Sequence, residues 1–319
     1  MNSSKFAVVI VNYNTCAFLR ACLPTVIAEQ PREMITVDNA SNDGSVQMVR
    51  EDFPAVTLMP LPVNLGYGAA ANQGIRACDA EFVLLLNSDT RVHGGALQAL
   101  EVYFEQHPGA GIVGPRLLNP DGTLQASCYP EPTPLHVLLE ESTLGRWVRY
   151  IPPMRERYLR TWSHSQPRVV PWVLGAALAI RRRAFDSVRG FDESFFLYWE
   201  EVDLCYRLGR AGWEIHFAPG AVVTHYGGAS TRLHHLEMTR RLFTSAAHFY
   251  RTHYSRARLF ALRVFIILIM LARMGRDFAH LALYVVRNQR YGASPQALYP
   301  NLHADYQILT DALAGWQAA

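Results

Sequence analysis

Five stretches of this sequence place chemically capable side chains beside apolar runs. Asp89 follows Phe82–Leu86, in the turn Asn87-Ser88-Asp89-Thr90. A strand-end carboxylate can hold Mg2+ or Mn2+ against a diphosphate, because hard cations take oxygen ligands and keep positions open for phosphate. An Asx turn or a helix cap would use the same residue. Asp38 follows Ile35-Thr36-Val37 and opens the polar run from Asn39 to Ser45. It can accept hydrogen bonds from a base N–H or a ribose hydroxyl, while Asp43 or Ser45 suits the cap of the next helix. Asn64-Leu65-Gly66-Tyr67-Gly68 leads into a small-residue helix. Its glycines permit close backbone approach, and a helix N-terminus favours phosphate, although the spacing is not that of a dinucleotide fingerprint. His225 ends the run Ala221–Thr224 just before two glycines. It can complete a metal site or serve as a hydrogen-bonded core histidine.

Tyr198-Trp199-Glu200-Glu201-Val202-Asp203 is the most informative stretch. At 100° per residue, Glu201 shares a stripe with Leu204, Cys205 and Leu208, so it is expected to face the protein body. Glu200 falls with Asp203 and Arg207 and is expected to complement the helix dipole from outside. A partly buried Glu201 would have a raised pKa and could act as a general base.

The elements that must position these groups alternate. Ala7–Val11, Met34–Val37, Val56–Met59 and Phe82–Leu86 read as strands. Phe18–Ala28, Ser45–Arg50, Gly68–Ala77 and Gly95–His107 read as helices. That order predicts a parallel sheet with helices on both faces, and ligands bind beyond the carboxyl ends of such strands. Asn12-Tyr13, Asp38 and Asp89 all sit at those ends. Further on, residues 128–170 read as a long loop with helical pieces near the site. Val169–Ile180 reads as strand, Phe191–Tyr198 as extended, and Glu200–Ala211 as helix. Glu214–Phe217 and Val222–Thr224 read as two short strands.

The five cysteines form no C-x-x-C pair and are odd in number, which disfavours a disulfide framework or zinc knuckle. The N-terminal MNSSKFAVVIVNYN lacks a long apolar region and a cleavage site, so a cytosolic protein is expected. The net charge of +3 conceals an asymmetry: residues 240–290 hold ten arginines and one acid, a charge of +9, against −6 elsewhere. The basic segment calls for an anionic partner. It is helical in pattern from about 235 to near Arg287. Its apolar run Val264–Ala272 is too short to span a bilayer, which takes about 20 residues. It suits an interfacial anchor on an anionic membrane or a helix packed on the protein or on a second subunit. Its aromatics are not interleaved as a stacking platform, so nucleic acid is a poor partner.

Taken in order, VNYN, VDNASNDGS, NLGYGAAANQG, LLLNSDT, GPRLLNPDG, WVLGAALAIRR, GFDESFFLYWEEVDLCYRLGRAGW and VVTHYGGAS resemble the family 2 glycosyltransferases, and among them the rhamnosyltransferase-like branch. The resemblance covers roughly residues 6–235. It implies a GT-A (Rossmann-like) α/β fold, a mixed sheet with helices on both faces. Residues 1–235 would be the catalytic domain and 236–319 a C-terminal helical segment. It further implies an inverting single displacement from a nucleoside-diphosphate sugar (a dTDP- or UDP-sugar, rhamnose by analogy) to a hydroxyl of a glycan or lipid-linked acceptor. By the same resemblance that chemistry would serve bacterial surface polysaccharide synthesis, with the protein at the inner face of the cell membrane. Asn12, Tyr13 and Asp38 would hold the nucleoside. Asn64, Gly66, Ser88 and Asp89 would meet the ribose, diphosphate and Mg2+ or Mn2+, with His225 completing metal or diphosphate binding. Glu201 would be the base, and Trp172, Gly175, Asp192 and Trp199 would enclose acceptor and donor sugar. Two positions depart from the pattern. Asn87 stands where the metal element usually starts with an acid, and Glu201 stands where the base is usually Asp. The extra methylene shifts the carboxylate by on the order of 1.5 Å, which leaves Glu200 open as the base. It also leaves open a scaffold that binds donor without turnover. A nucleotidyltransferase would share the sheet but needs a Gly-rich first loop that Val11–Asn14 lacks.

Overall fold

The structure is a computed structural model that describes residues 4–141, 147, 150, 162–227, 235–286 and 295–314. Two compact units divide the chain. The first comprises Met1–Glu131 and Pro152–Ser230, the second Pro132–Ile151 and Thr231–Ala319.

The first unit is built on β1 (Phe6–Asn12), whose seven residues are all buried. A strand buried on both faces takes apolar residues along its length, and FAVVIV supplies them up to the polar Asn12 at its carboxyl end. β1 pairs in parallel with β2 (Glu33–Asp38) and with β4 (Phe82–Asn87), and β2 pairs in parallel with β3 (Thr57–Pro60). The helices between them are α1 (Cys16–Ile27), α2 (Ser45–Asp52) and α3 (Tyr67–Ala77). β5 (Thr90–Val92), α4 (Ala96–Gln106) and β6 (Ala110–Leu118) follow. Side chains alternate along β1 with the two-residue period of a strand. Phe6, Val8 and Ile10 pack with Leu19, Leu23, Met48, Leu97, Leu100 and Phe104 of α1, α2 and α4. Ala7, Val9 and Val11 pack on the other face with Ala70, Ala71 and Ile75 of α3. α3 sits so close to the sheet that a Cβ on Gly74 would lie 2.5 Å from Val9 Cγ1 and 2.8 Å from Val37 Cγ2.

The sheet is mixed, in the order β3-β2-β1-β4-β11-β6-β12-β5. β11 (Ala177–Arg181) runs antiparallel between β4 and β6, and β12 (Glu214–His225) runs parallel to β6 and antiparallel to β5. Short strands β7 (Leu124–Gln125) and β9 (Arg168–Val169) pair with β6 and β12, while β8 (Cys128–Tyr129) and β10 (Trp172–Val173) form a separate ribbon. α6 (Arg182–Ser187) and α7 (Glu200–Arg210) complete the unit.

Several local expectations change. Val169–Ile180 is not one strand: β9 pairs with β12, β10 leaves the main sheet to pair with β8, and Ala177–Arg181 lies between β4 and β6. The expected pair Glu214–Phe217 and Val222–Thr224 is one strand that absorbs a register shift between Ala218 and Val222, as Pro219-Gly220 interrupts its alternation without ending it. Phe191–Tyr198 is a series of turns, not extended chain, and closes with Tyr198 and Trp199 at φ of 67° and 70°. Within 128–170, α5 (Pro134–Glu141) belongs to the helical unit.

That second unit adds α8 (His235–His253), α9 (Arg256–Val286) and α10 (Pro295–Leu313). The helical pattern read to Arg287 is broken at Tyr254-Ser255, and α10 lies beyond it. Arg287 and Arg290 lie outside the described residues. Among the described residues, no helix is long and apolar enough to cross a membrane.

Candidate active site

The carboxyl ends of β1, β2 and β4 gather a buried polar floor. Asn12 Nδ2 donates to Asp38 Oδ2 at 2.8 Å and to Ser41 Oγ at 3.1 Å, and Ser41 N–H donates to Asp38 Oδ1 at 2.9 Å. Thr15 Oγ1 donates to Asn12 Oδ1 at 2.7 Å and lies 2.6 Å from Ser88 Oγ. Asn12, Asp38 and Ser88 therefore form one network at three adjacent strand ends, and all three are buried. Satisfied buried networks of this kind are rigid. Tyr13 stands beside it with 40% of its surface exposed, which leaves an aromatic face open to a base.

Asn39, the residue after Asp38, ties in the glycine loop. Its Nδ2 donates to Asn64 Oδ1 at 2.9 Å and to the Gly66 carbonyl at 3.2 Å, and its Oδ1 accepts the Leu65 N–H at 2.9 Å. Asn64 Oδ1 also accepts the Gly66 N–H. Gly66 has φ of 85°, and a Cβ there would lie 2.4 Å from the Phe196 carbonyl oxygen. The close approach its glycine permits is thus to the 191–198 segment, reinforced by the Tyr67 N–H donating to Phe196 O at 2.9 Å.

Asp89 and His225 are far apart in sequence and meet because β5 pairs with β12 in a register that sets His225 opposite Thr90. The Tyr226 N–H donates to the Asp89 carbonyl at 2.9 Å. His225 Nε2 lies 3.4 Å from Asp89 Oδ1, and Nδ1 lies 2.8 Å from Gln125 Oε1. Gln125 is held the right way round by donating its Nε2 to Asn119 Oδ1 at 3.0 Å. Its Oε1 then accepts from His225 Nδ1–H, which leaves the Nε2 lone pair facing the Asp89 carboxylate. Among the described residues, no cluster of three or more His, Cys, Asp or Glu forms a closed metal cage. An imidazole, a carboxylate and a fixed tautomer fit an open divalent site that takes its remaining ligands from phosphate.

The acid pair opens α7, directly after the two left-handed residues, each a strain of about 1–3 kcal/mol of the kind stored at functional sites. Glu200 was expected outside and is instead buried, 5% exposed. The cause is that α7 is covered on two sides. Gly68 of α3 lies against the Glu200 Cβ, and Gly175 lies against the Glu201 carboxylate. Asp203, placed by the stripe with Glu200, is also buried and paired with Arg207 at 2.6 Å, whose guanidinium in turn donates to the Val188 and Gly190 carbonyls. Burial, then the charge of Glu201, pushes the Glu200 carboxyl well above the ordinary carboxylate range. Burial raises Glu201 too, opposed by backbone N–H groups that include Gly175. Gly175 N–H reaches Glu201 Oε1 at 3.4 Å. One oxygen of each acid, Oε2, has no hydrogen-bond partner among the described residues.

Tyr67 joins the two halves. Its hydroxyl donates to the Gly175 carbonyl at 3.2 Å. Burial, then the charges of Glu200, Glu201 and Asp89, push that hydroxyl well above its ordinary value. The three carboxylates therefore all act on one phenol, and the Asn87 N–H bonds to the Ala176 carbonyl, next to Gly175, at 3.0 Å.

Of the remaining expected residues, Trp172 stacks on Tyr129 at 4.1 Å and donates Nε1 to the Pro130 carbonyl. Asp192 accepts the Ser194 N–H at 2.9 Å within a turn. Trp199 is half-buried and its carbonyl accepts the first helical bond of α7, from Asp203. Gly175 supports Glu201 through its N–H and Tyr67 through its carbonyl. Tyr67, Asn39 and Gln125 were not among the expected site residues. Tyr67 and Asn39 lie inside quoted motifs, but Gln125 has no local signal, since its partner is 100 positions away.

Residues 4–244 match the family described as glycosyltransferase like family 2, and the chain belongs to that family. Its fold is the mixed α/β fold of GT-A glycosyltransferases. It is 34% identical over 237 residues to the N-acetylglucosaminyl-diphospho-decaprenol L-rhamnosyltransferase of Mycobacterium tuberculosis, covering 70% of this chain and 76% of that one. It is 28% identical over 210 residues to the low-salt glycan biosynthesis hexosyltransferase Agl10 of Haloferax volcanii, covering 64% and 61%. Among solved structures it is similar to GalNAc-T7 crystallised with UDP, GalNAc and Mn2+, at a TM-score of 0.54 and 16% identity, covering 77% of this chain and 47% of that one. Residues 1–349 of Staphylococcus aureus TarS give a TM-score of 0.50 at 14% identity, covering 97% and 87%.

Proposed function

We propose that this glycosyltransferase moves a sugar, rhamnose in the first instance, from a nucleoside-diphosphate donor to a hydroxyl of a lipid-linked glycan, with inversion. The observation that carries the reading is the acid pair opening α7, with Glu201 met by the Gly175 N–H, Tyr67 bonded to the Gly175 carbonyl, and the next carbonyl, that of Ala176, taking the Asn87 N–H two residues before Asp89. The name of the mycobacterial relative supports the choice of sugar and of a diphospho-polyprenol acceptor.

In this reading Asn12, Tyr13 and Asp38 hold the nucleoside, and Asn64, Gly66 and Ser88 border the ribose and diphosphate. Asp89 and His225 would hold Mg2+ or Mn2+, which when bound offsets negative charge on the departing diphosphate. Glu201 is the base. It is only half-buried, and the Gly175 N–H steadies its ionised form. Glu200, more deeply buried beside it, keeps its proton, since two adjacent acids with unequal surroundings divide their titrations. Glu201 takes the acceptor hydroxyl proton. The acceptor oxygen bonds to the anomeric carbon from the opposite face as the bond to the diphosphate oxygen breaks, its electron pair leaving with the phosphate. Trp172, Gly175, Asp192 and Trp199 enclose the reacting sugars.

Transfer is tested by incubating the protein with dTDP-rhamnose, UDP-sugars and GDP-sugars, a diphospho-polyprenol N-acetylglucosamine acceptor, and either Mn2+ or a chelator. The expected result is a rhamnosylated lipid only with dTDP-rhamnose and metal. Donor binding without turnover on a panel of acceptors would overturn it in favour of a binding scaffold.

A further inference from the structure

The helical unit leaves an apolar face uncovered. On α9, Phe260, Leu268, Leu271 and Phe278 are each more than half exposed. At 100° per residue they fall on one side of the helix together with Val264, Ile267 and Gly275. The stripe runs about 27 Å along the axis, from the 1.5 Å rise per residue. Leu262, Ile266, Ile269 and Met270 point the other way and are buried, so the unit's own core does not need the exposed side. Contiguous exposed apolar surface on this scale marks an interaction site.

The charges beside it are one-sided. Arg240, Arg241, Arg273 and Arg276 are spent on ion pairs with Asp311, Glu237, Asp305 and Asp277. Arg251, Arg256 and Arg258, at the corner where α8 meets α9, are exposed and have no ion-pair partner among the described residues. Arg258 lies over the Tyr254 ring. No Asp or Glu occurs between Glu237 and Asp277. A second copy meeting this face through the same patch would therefore offer the three arginines no counter-charge, whereas a sheet of lipid phosphates does.

We propose that α9 lies in the plane of an anionic bilayer, with the stripe from Phe260 to Phe278 at the acyl boundary and Arg251, Arg256 and Arg258 on lipid phosphates. That no helix among the described residues can cross a membrane agrees with a surface position. The inference deepens the lipid-linked acceptor reading and rests on it for its purpose. Its test uses neither donor nor acceptor, so the two can fail separately.

The full chain is sedimented with phosphatidylcholine vesicles with and without phosphatidylglycerol. Expected is tighter binding to the anionic vesicles that weakens with salt. Arg251→Gln/Arg256→Gln/Arg258→Gln should lower anionic-vesicle binding on the order of 100-fold, at roughly fivefold per arginine. Leu268→Ser/Leu271→Ser should lower it by about tenfold or more. Circular dichroism checks that both variants fold, and the arginine variant stands alone should the leucine variant not. Binding that ignores phosphatidylglycerol, or variants that bind as the parent does, would overturn the proposal. So would a dimer in lipid-free buffer that Leu268→Ser/Leu271→Ser dissociates, which would assign the face to a second copy.

Discussion

Gly175→Ala tests how tightly the base is placed. A Cβ at this position would lie 3.3 Å from Glu201 Oε1, 3.4 Å from its Cδ and 3.5 Å from its Cβ. The backbone of Gly175 is not among those with positive φ, so the methyl acts on Glu201 and not on the main chain. The carboxylate must withdraw by about 0.3 Å to restore ordinary contact, which also stretches the 3.4 Å hydrogen bond from the Gly175 N–H beyond useful length. A misplacement of 1 Å can cost about 100-fold in rate, so 0.3 Å scales to roughly fourfold in kcat. Donor affinity should hold, because the nucleoside floor of Asn12 and Asp38 is not touched. The shorter Glu201→Asp variant should be slower in its own right, yet adding Gly175→Ala to it should cost nothing further, since the contact is gone. Single-turnover rates on the four proteins of that cycle provide the measurement. An unchanged kcat in Gly175→Ala, or the same penalty from Gly175→Ala in the parent and in the Glu201→Asp variant, would refute the idea that Gly175 makes room for the base.

Other outcomes follow from the same coordinates. Gly209→Ala, in α7 with nothing within 4 Å of the new methyl, should stabilise by about 0.5–1 kcal/mol and leave turnover alone; a lower melting temperature would contradict this. Gly74→Ala drives a methyl into Val9 and Val37 and should cost about 1–3 kcal/mol in denaturant titrations. Glu200→Gln should change the pH dependence of stability. Glu200 has a folded value above its unfolded one of about 4.3, so its contribution is full below that pH and is lost as pH rises toward the folded value. The Gln variant lacks that loss, and its stability relative to the parent should improve as pH is raised from about 4 to neutrality. A constant difference across that range would place the proton elsewhere.

The alternation of apolar runs and helical stripes made the first half of the fold legible, because each central strand is buried on both faces and announces itself by composition alone. The strand ends were legible for the same reason, and with them Asn12, Asp38 and Asp89. The second half was harder. β5 is three residues long and β10 only two, too short for a period to register. Their positions come from pairing with β12 and β8, which local sequence does not reveal. Glu200 shows the limit of the helical stripe: an amphipathic face predicts one buried side, and α7 is enclosed on two. Tyr67 and Gln125 act through partners about a hundred positions away, and only tertiary structure brings them into view.

Turnover and donor affinity of Glu201→Gln, measured side by side in Mn2+, bear most directly on the claim that one acid removes the acceptor proton while a separate strand end holds the donor. Transfer should fall by about 100- to 10,000-fold with donor affinity within a few-fold of the parent. Transfer at the parent rate, or loss of donor binding together with transfer, would contradict the division of labour between Glu201 and Asp89.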